Sequence, residues 1–455
     1  MALDDVVGAS MILTVVGCGY VGTVTAACLS TLGHSVRAYD TDAARVGQLQ
    51  AGHAVLREPD LVERCRRGIR EGSLCFTDEP DAALSGRVDA VFLCVGTPRG
   101  PDGQPDVGQL ESAASSIAPR LRGSTVVVTR STVPVGSGDW LRVRLEAASE
   151  APGRWKGEIV ANPEFLREGS AVSDFLHPDR IVIGGTDEGC DVVERAFAPI
   201  LSQSFVGGCL PVPRLFRMDR ISAEMVKYAA NAALATKISF ANEIAGLCEL
   251  TGADARSVLP AVGADPRIGE RNLEPGLGWG GSCFPKDTAA LTAMAAEYGV
   301  RAHLLEAACA VNDGQVHSIL TKLRSTLRTL KGRTIALWGL TFKPETDDVR
   351  SSPSLTLARE LQRLGAWVVA SDPAVKSLPE PDDAITVVLD PLEAVEGADA
   401  LVVATAWPSF ASVPAEQVAA RMRGHLVIDA RNLLRPTDVQ GAGLSHIGVG
   451  WVPEP

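Results

Sequence analysis

Two doubly wound parallel sheets, joined by a long central helix and a helical middle region, are the α/β fold that this 455-residue sequence predicts. Three observations carry the prediction. Through about residue 210, short β-branched runs alternate with helical segments, the pattern of a parallel sheet covered on both faces. From Asp219 to about Leu250 the chain becomes one Ala-rich helical stretch without proline. Near Arg333 the alternation starts again. Domains are expected at 1–213, 214–325 and 326–455, because a chain of this length exceeds what one hydrophobic core serves.

The first strand, Met11 to Val16, runs into Gly17-Cys18-Gly19-Tyr20-Val21-Gly22 and then the small-residue helical stretch Thr23 to Leu32. Strand, glycine turn, helix is the order a dinucleotide needs. The first glycine makes the turn, the second lets a pyrophosphate approach, and the third lets helix pack on strand, with the phosphates at the helix N-terminus. By itself such a turn is common. Here the second strand, Ser35 to Tyr39, ends in Asp40, eighteen residues past Gly22, where a carboxylate accepts from a ribose diol and repels a 2'-phosphate. The first domain is therefore expected to be Rossmann-like and to bind NAD rather than NADP, through Gly17, Gly19, Tyr20, Val21, Gly22, Asp40 and Arg45.

Later strands bring further loops to the same edge. Thr97-Pro98 follows Ala90 to Val95, and Ser131-Thr132-Val133-Pro134 follows Thr125 to Thr129, both at strand C-termini, where open α/β sheets bind cofactors. Ile159 to Ala161 leads into Asn162-Pro163-Glu164-Phe165-Leu166-Arg167-Glu168, and Ile181 to Gly184 is the next strand. If residues 162–168 are helical, Glu164 and Glu168 share a face, and pairing raises one carboxyl toward a base at neutral pH. An acidic helix start is the plainer alternative. At about 1.5 Å per residue the long helix exceeds roughly 40 Å, enough to connect domains or to pair with a copy of itself.

In the third region Thr334 to Gly339 is a strand into a glycine turn, Leu355 to Leu364 a helix, and Trp367 to Ala370 a strand ending at Asp372. Ala398-Asp399-Ala400-Leu401-Val402-Val403-Ala404-Thr405 echoes Val88-Asp89-Ala90-Val91-Phe92-Leu93-Cys94-Val95, so a related second sheet is expected. Its turn, Gly339-Leu340-Thr341-Phe342-Lys343, lacks the GxGxxG spacing, which argues against a second whole dinucleotide. Lys343 and Arg350 suit a nucleotide diphosphate instead, unless they are ordinary surface cations.

Composition narrows the partners. Charged residues make up 22% and hydrophobic ones 46%, as in a soluble globular protein, and a net charge of −12 disfavours nucleic acid and anionic membranes. Met1 to Ser10 carries two Asp and no basic residue, so it is expected to be a loose tail rather than a signal peptide. No apolar run approaches the roughly 20 residues that cross a bilayer, and a cytoplasmic protein is expected. The ten cysteines stand singly, without CxxC, zinc spacing or a disulfide framework, so no metal is expected.

One cysteine stands apart from the rest. Gly280-Gly281-Ser282-Cys283-Phe284-Pro285-Lys286-Asp287 sets a thiol in a glycine-rich loop ahead of a cation and a carboxylate. The cation favours thiolate, the form that attacks carbonyl carbon. A tight turn around a buried cysteine is the alternative, and the NAD motif weighs against it. Thiolate addition to an aldehyde gives a thiohemiacetal that donates hydride and leaves a thioester. Asp287 is then placed to orient or deprotonate the hydrolytic water. Lys227 and Asn231, four apart on the long helix, present a cation and an amide to developing oxyanion charge.

Together these motifs resemble the UDP-glucose/GDP-mannose dehydrogenase family, nearly end to end. The matching segments are residues 17–22, Val95-Gly96-Thr97-Pro98, residues 131–134 and 162–168, Pro178-Asp179-Arg180-Ile181, residues 227–231, and Gly278-Trp279 through Asp287. Members oxidise a nucleotide-sugar primary alcohol to the acid with two NAD. The resemblance implies Cys283 as nucleophile, Asp287 and Thr132 as holders of the hydrolytic water, Lys227 and Asn231 as oxyanion stabilisers, and Glu164 as general base. It implies Thr97, Thr132, Glu168, Lys286 and Arg350 at the cofactor. Glu164, Phe165, Leu166, Lys227, Asn231, Gly280, Phe342, Lys343 and Arg431 are implied at the sugar-nucleotide, with Arg267 reaching a neighbouring subunit's sugar. A homodimer through the long helix is implied as well.

The run from Arg267 to Asp287 looks most like the UDP-glucose branch, but Asn272 stands where members usually carry an aromatic. A pocket separates uracil from thymine by roughly 1–3 kcal/mol per methyl, so dTDP-glucose stays open beside UDP-glucose, as do GDP-mannose and UDP-N-acetylmannosamine. Two other classes compete. A two-electron hydroxyacid dehydrogenase shares a leading dinucleotide fold but needs no cysteine, and a silent nucleotide-sugar sensor has no use for Cys283, Lys227, Asn231 and Asp287 together.

Overall fold

The computed structural model describes residues 10–53, 56–100, 103–148, 154–205, 211–378 and 385–451, so the expected tail at Met1 to Ala9 lies outside the described residues. The chain divides into two compact units, 1–230 and 231–455. An eight-stranded sheet forms the first, from β1 (Ile12–Val16), β2 (Ser35–Tyr39), β3 (Leu74–Thr77), β4 (Ala90–Leu93), β5 (Val126–Thr129), β6 (Ile159–Ala161), β7 (Arg180–Gly184) and β8 (Arg214–Met218). Their order is β3-β2-β1-β4-β5-β6-β7-β8. β1 lies between β2 and β4, parallel to both, so the winding reverses there and opens a crevice at the strand C-termini. Every residue of β4 and β5 is buried, as befits strands covered on both faces.

The sheet departs from the expected parallel pattern at one edge. β7 pairs antiparallel with β6 and parallel with β8, so the last two strands run against the others. The connection from β6 contains only the short helix Ala171–Leu176, and the chain re-enters the sheet from the edge it left.

The second unit carries a six-stranded sheet of β9 (Thr334–Trp338), β10 (Trp367–Ser371), β11 (Ile385–Val388), β12 (Ala400–Val403), β13 (Leu426–Asp429) and β14 (Ser445–Ile447). Its order is β11-β10-β9-β12-β13-β14, and every pairing is parallel. Ile335, Leu337, Val402 and Ile428 pack in one core with Leu357 and Leu361 of the helix Pro353–Arg363 and with Ala241, Ala245 and Cys248.

Those last three belong to the long helix, Arg220–Thr251, within which the division between the units falls. Its 32 residues give a rod of about 48 Å. In the first unit it is tethered through Glu224, whose carboxylate accepts from the backbone N–H of Gly136 at 2.6 Å and of Gly138 at 3.2 Å. These are donors that the start of the helix Ser137–Ala147 would otherwise leave unmatched. Burial pushes the Glu224 carboxyl up even though both amides oppose it.

Candidate active site

At the end of β1 the chain turns through Gly17 at φ +93°, whose N–H donates to the Tyr39 carbonyl at 2.8 Å. A Cβ at Gly22 would stand 1.7 Å from the Gly17 carbonyl oxygen, so only glycine lets the helix Tyr20–Thr31 seat against the turn. At Gly19 a Cβ would meet nothing within 4 Å, which leaves open space beside a helix N-terminus that has no side-chain cap. Unmatched N–H groups facing open space suit a pyrophosphate. Asp40, at the end of β2, accepts from the Cys18 N–H at 2.6 Å, the Asp42 N–H at 3.0 Å and Arg45 Nη1 at 3.3 Å. The residues present therefore fit NAD: Gly19 would face its phosphates and Asp40 would hold its ribose. Across the crevice Thr97 Oγ1 donates to the Thr132 carbonyl at 2.7 Å, joining the loops that follow β4 and β5.

Residues 162–167 form no helix, so Glu164 and Glu168 do not share a helical face as the sequence suggested. Pro163 disfavours helix at Asn162, and Asn162 and Glu164 are drawn instead to Arg130, Val182 and Lys227. Glu164 is instead paired with Lys227, whose Nζ lies 3.0 Å from Oε1, while the Leu166 N–H donates to Oε2 at 2.5 Å. Burial acts to raise this carboxyl, but the Lys227 charge, the Leu166 amide and Arg130 outweigh it and hold Glu164 below the usual carboxylate range. The expectation of a carboxyl raised by its neighbour is thus corrected: the neighbour is a cation. Phe165 lies under the Arg180 guanidinium, 3.9 Å from the ring centroid, with Lys227 Nζ at 5.5 Å. Glu168, half-buried, begins the turn that follows.

Arg130 escaped the sequence reading. It is buried, donates to Asn162 Oδ1 at 2.6 Å and to Thr25 Oγ1 at 3.0 Å, and lies over the rings of Phe175 and Phe197. Burial lowers its pKa from the ordinary value. Its one sequence signal is a cation placed directly after the apolar run of β5.

The second unit holds the thiol. Cys283 is exposed and occupies the N-cap of the helix Phe284–Glu297, where the helix dipole favours a thiolate. One turn on, Asp287 is 1% exposed, its Oδ2 accepting from Asn231 Nδ2 at 2.6 Å and its Oδ1 from Lys286 Nζ at 2.5 Å. The loop before the cysteine is pinned on several sides. The Gly281 N–H donates to the Arg350 carbonyl at 3.1 Å, and a Cβ at Gly281 would stand 2.8 Å from the Phe342 ring. A Cβ at Gly280 would come within 2.2 Å of the Ser351 carbonyl oxygen. Trp279 donates its N–H to Asn312 Oδ1 at 2.7 Å and its indole N–H to Ser239 at 3.0 Å.

Arg431 reaches the same loop, donating from Nη1 to the Gly278 carbonyl at 3.1 Å and from Nε to the Ala404 carbonyl at 2.8 Å. Its buried Nη2 has no partner among the described residues. Burial pushes its pKa down to about 10, which still leaves a cation at neutral pH with a donor to offer. Lys343 lies against Phe342, its Nζ 5.7 Å from the ring centroid. Arg350 and Arg267 are exposed, and their guanidinium groups fork onto Asp348 and Asp265. Asn272 adopts φ +64°, a left-handed conformation that asparagine tolerates well.

A wound sheet that offers a glycine turn and an acidic strand end to an adenine dinucleotide defines an NAD-linked dehydrogenase. Comparison with known proteins supplies the family. The NAD binding domain of the UDP-glucose/GDP-mannose dehydrogenase family matches residues 11–201, its central domain 221–314 and its UDP binding domain 336–436. A UDP-glucose 6-dehydrogenase of Pseudomonas aeruginosa is 40% identical over 451 residues, covering 97% of both chains. One from Haloferax volcanii is 42% identical over 433 residues, covering 93% of this chain and 97% of the relative. Among solved structures, a UDP-glucose dehydrogenase from Pyrobaculum islandicum superposes with a TM-score of 0.86 at 36% identity, covering 98% of each chain. The chain belongs to the UDP-glucose/GDP-mannose dehydrogenase family and is an NAD-dependent nucleotide-sugar dehydrogenase. Among the described residues no helix is long and apolar enough to cross a membrane, and no cluster of potential metal ligands occurs.

Proposed function

We propose that the chain oxidises UDP-glucose to UDP-glucuronate through a covalent thioester on Cys283. The Asn231–Asp287–Lys286 network one helical turn from Cys283 is the observation that carries this reading. NAD supplies the hydride acceptor for both oxidations. In the first, Glu164, directly or through water, takes the proton of the sugar's primary hydroxyl as the carbon loses hydride and becomes an aldehyde. Lys227 stabilises the alkoxide that develops. The Cys283 thiolate then adds to the aldehyde carbon, and the resulting oxyanion is held by Lys227 and by the amide of Asn231. Loss of a second hydride leaves the thioester. Water attacks it, with Asp287 orienting that water and Thr132 assisting, and the carboxylate leaves as the thiol is restored.

For this chemistry the chain is best cut in three: 1–213 for NAD, 214–325 for the cysteine loop and subunit contact, and 326–455 for the sugar-nucleotide, held by Phe342, Lys343 and Arg431. Two NAD-side roles remain with Glu168 and Lys286, and one with Arg350. Choice of UDP-glucose is supported by relatedness: the UDP-glucose dehydrogenase above is 36% identical, against 27% for a UDP-D-ManNAc dehydrogenase from Pyrococcus horikoshii. A homodimer is supported by the exposed stripe Phe240, Leu247 and Leu250 on the long helix, with Arg267 then serving the partner's sugar. Ten single cysteines and a requirement for NAD support a cytoplasmic site of action.

A panel of UDP-glucose, dTDP-glucose, GDP-mannose and UDP-N-acetylmannosamine, followed by NADH, tests the reading. UDP-glucose should be turned over fastest with two NADH per sugar, and one NADH with a carbonyl product sinks it. Cys283→Ser should lose steady-state release of acid by about three orders of magnitude or more, since the alcohol is a poorer nucleophile and its ester less labile. Undiminished turnover would remove Cys283 from the nucleophile's role.

A further inference from the structure

Glu58, which none of the readings above uses, lies in the segment before the helix Leu61–Glu71 and is 7% exposed. Its carboxylate accepts from the hydroxyl of Tyr20, from the N–H of Gly169 at 2.8 Å and from the N–H of Val172 at 3.2 Å. The Gly169 N–H also donates to the Tyr20 hydroxyl at 2.9 Å. Tyr20 is the first residue of the helix whose N-terminus the glycine turn presents. Gly169 and Val172 stand at the far end of the loop that carries Glu164 and Glu168.

That loop is held at two places by unlike means. Its near end is fixed by Lys227 on Glu164 and by Arg130 on Asn162, with Arg130 also on Thr25 of the helix Tyr20–Thr31. Its far end is held by Glu58 and Tyr20, and also by Arg167 and Ser170 on Asp174 and by burial of Ala171 and Val172 in the core. An anion bound at the start of the helix Tyr20–Thr31 restrains the Tyr20 backbone, and the two hydrogen bonds of its hydroxyl carry that restraint to Gly169.

We propose that Glu58 and Tyr20 are positioning residues that couple occupancy of the dinucleotide turn to the order of residues 167–172, so that NAD binding sets the loop for the sugar. The final clause rests on the function proposed above. The coupling itself needs only NAD and this chain.

Amide hydrogen exchange across 163–172, with and without saturating NAD, tests it alongside NADH affinity measured by fluorescence. In the unmutated protein NAD should slow exchange at Gly169 and Val172 by about fivefold or more, the lower end of ordinary coupling between sites. Tyr20→Phe keeps the ring and deletes both hydrogen bonds of the hydroxyl. At the NAD concentration that its own NADH titration shows to be saturating, it should lose that protection, leaving a change below about twofold. Glu58→Gln should do the same, and Tyr20→Phe decides the matter where the glutamine variant fails to fold. Full NAD-dependent protection in Tyr20→Phe, or none in the unmutated protein, overturns the proposal. A failure to oxidise UDP-glucose would overturn the substrate reading and leave the exchange result standing.

Discussion

The two sheets begin alike and end with opposite uses for the same carboxylate. In each, a glycine at positive φ follows the first strand and donates to the end of the second: Gly17 to the Tyr39 carbonyl, and Gly339 to the Ser371 carbonyl, both at 2.8 Å. In each, the aspartate just before the strand on the first strand's other side, β4 or β12, accepts from the first strand's leading N–H, Asp89 from Ile12 at 2.9 Å and Asp399 from Thr334 at 2.8 Å. They part at the second strand's end. Asp40 stands beside a turn that enters a helix at Tyr20, with open space at Gly19. Asp372 is 1% exposed, and its Oδ2 accepts from the Leu340 and Thr341 N–H groups, the Thr341 hydroxyl and the Trp407 indole. Its Oδ1 takes the Ala374 and Val375 N–H groups, so no lone pair is left to a ribose.

A carboxylate at this place in a wound sheet is therefore not a ribose ligand by position alone. Asp40, beside a turn that enters a helix directly, keeps acceptor capacity that Asp372 does not. In the second sheet the chain wanders from Leu340 to Ser352 before the helix Pro353–Arg363, and the threonine and tryptophan that fill the gap consume the aspartate. The buried carboxylates also contrast in partner: Glu164 in the first unit faces a lysine, whereas Asp372 faces neutral donors.

Lys227→Met breaks this last contrast most severely. Stranding Glu164 without its cation should cost about 3–5 kcal/mol in the first unit and abolish turnover. In the unmutated protein the carboxyl lies below its unfolded value, so its contribution is present above that value and lost as pH falls through the lower folded one. Without Lys227, burial dominates and the sign reverses, so the variant's deficit in urea should be largest at neutral pH and shrink on acidification. A deficit that grows on acidification would show that Lys227 is not what holds Glu164 down.

Next comes Gly22→Ala, whose Cβ meets the Gly17 carbonyl oxygen, beside Gly339→Ala, whose Cβ comes within 2.3 Å of Thr405. Each should lose about 1–3 kcal/mol from overpacking, but only the first should weaken NADH binding. Equal loss of NADH affinity in both would erase the distinction between the sheets. Asp372→Ala leaves several backbone donors buried and unmatched, and should lower the unfolding free energy measured in urea by about 1–3 kcal/mol with NADH affinity unchanged. Asp40→Ala is expected to have the smallest effect, about 1.5 kcal/mol or roughly tenfold in NAD affinity, together with improved use of NADP. If NAD and NADP are used equally before the mutation, Asp40 has no selective role.

Much of this was legible from local pattern. Gly17 to Gly22 with Asp40 announced the dinucleotide turn, the Val88-Asp89-Ala90 echo at Ala398-Asp399-Ala400 announced the second sheet, and the proline-free stretch announced the helix Arg220–Thr251. Cys283 and Asp287 needed only the rule that four residues make one helical turn. Where that same rule was applied to Glu164 and Glu168 it misled, because no helix forms there and the partner comes from Lys227, 63 residues away.

By itself, then, the sequence determined the main elements, the glycine turn and the placement of Asp287 one helical turn from Cys283, all of which follow from spacings of two to four residues and from residue type. Tertiary structure alone decided that β7 and β8 run against their neighbours, that Arg130 stands behind Glu164, that Asp372 is consumed internally, and that Glu58 meets Val172 across 114 residues. The physical reason is that a side chain's partner, and with it the pKa of a buried group, is set by which distant segments the sheet order brings together, and periodicity carries no record of that.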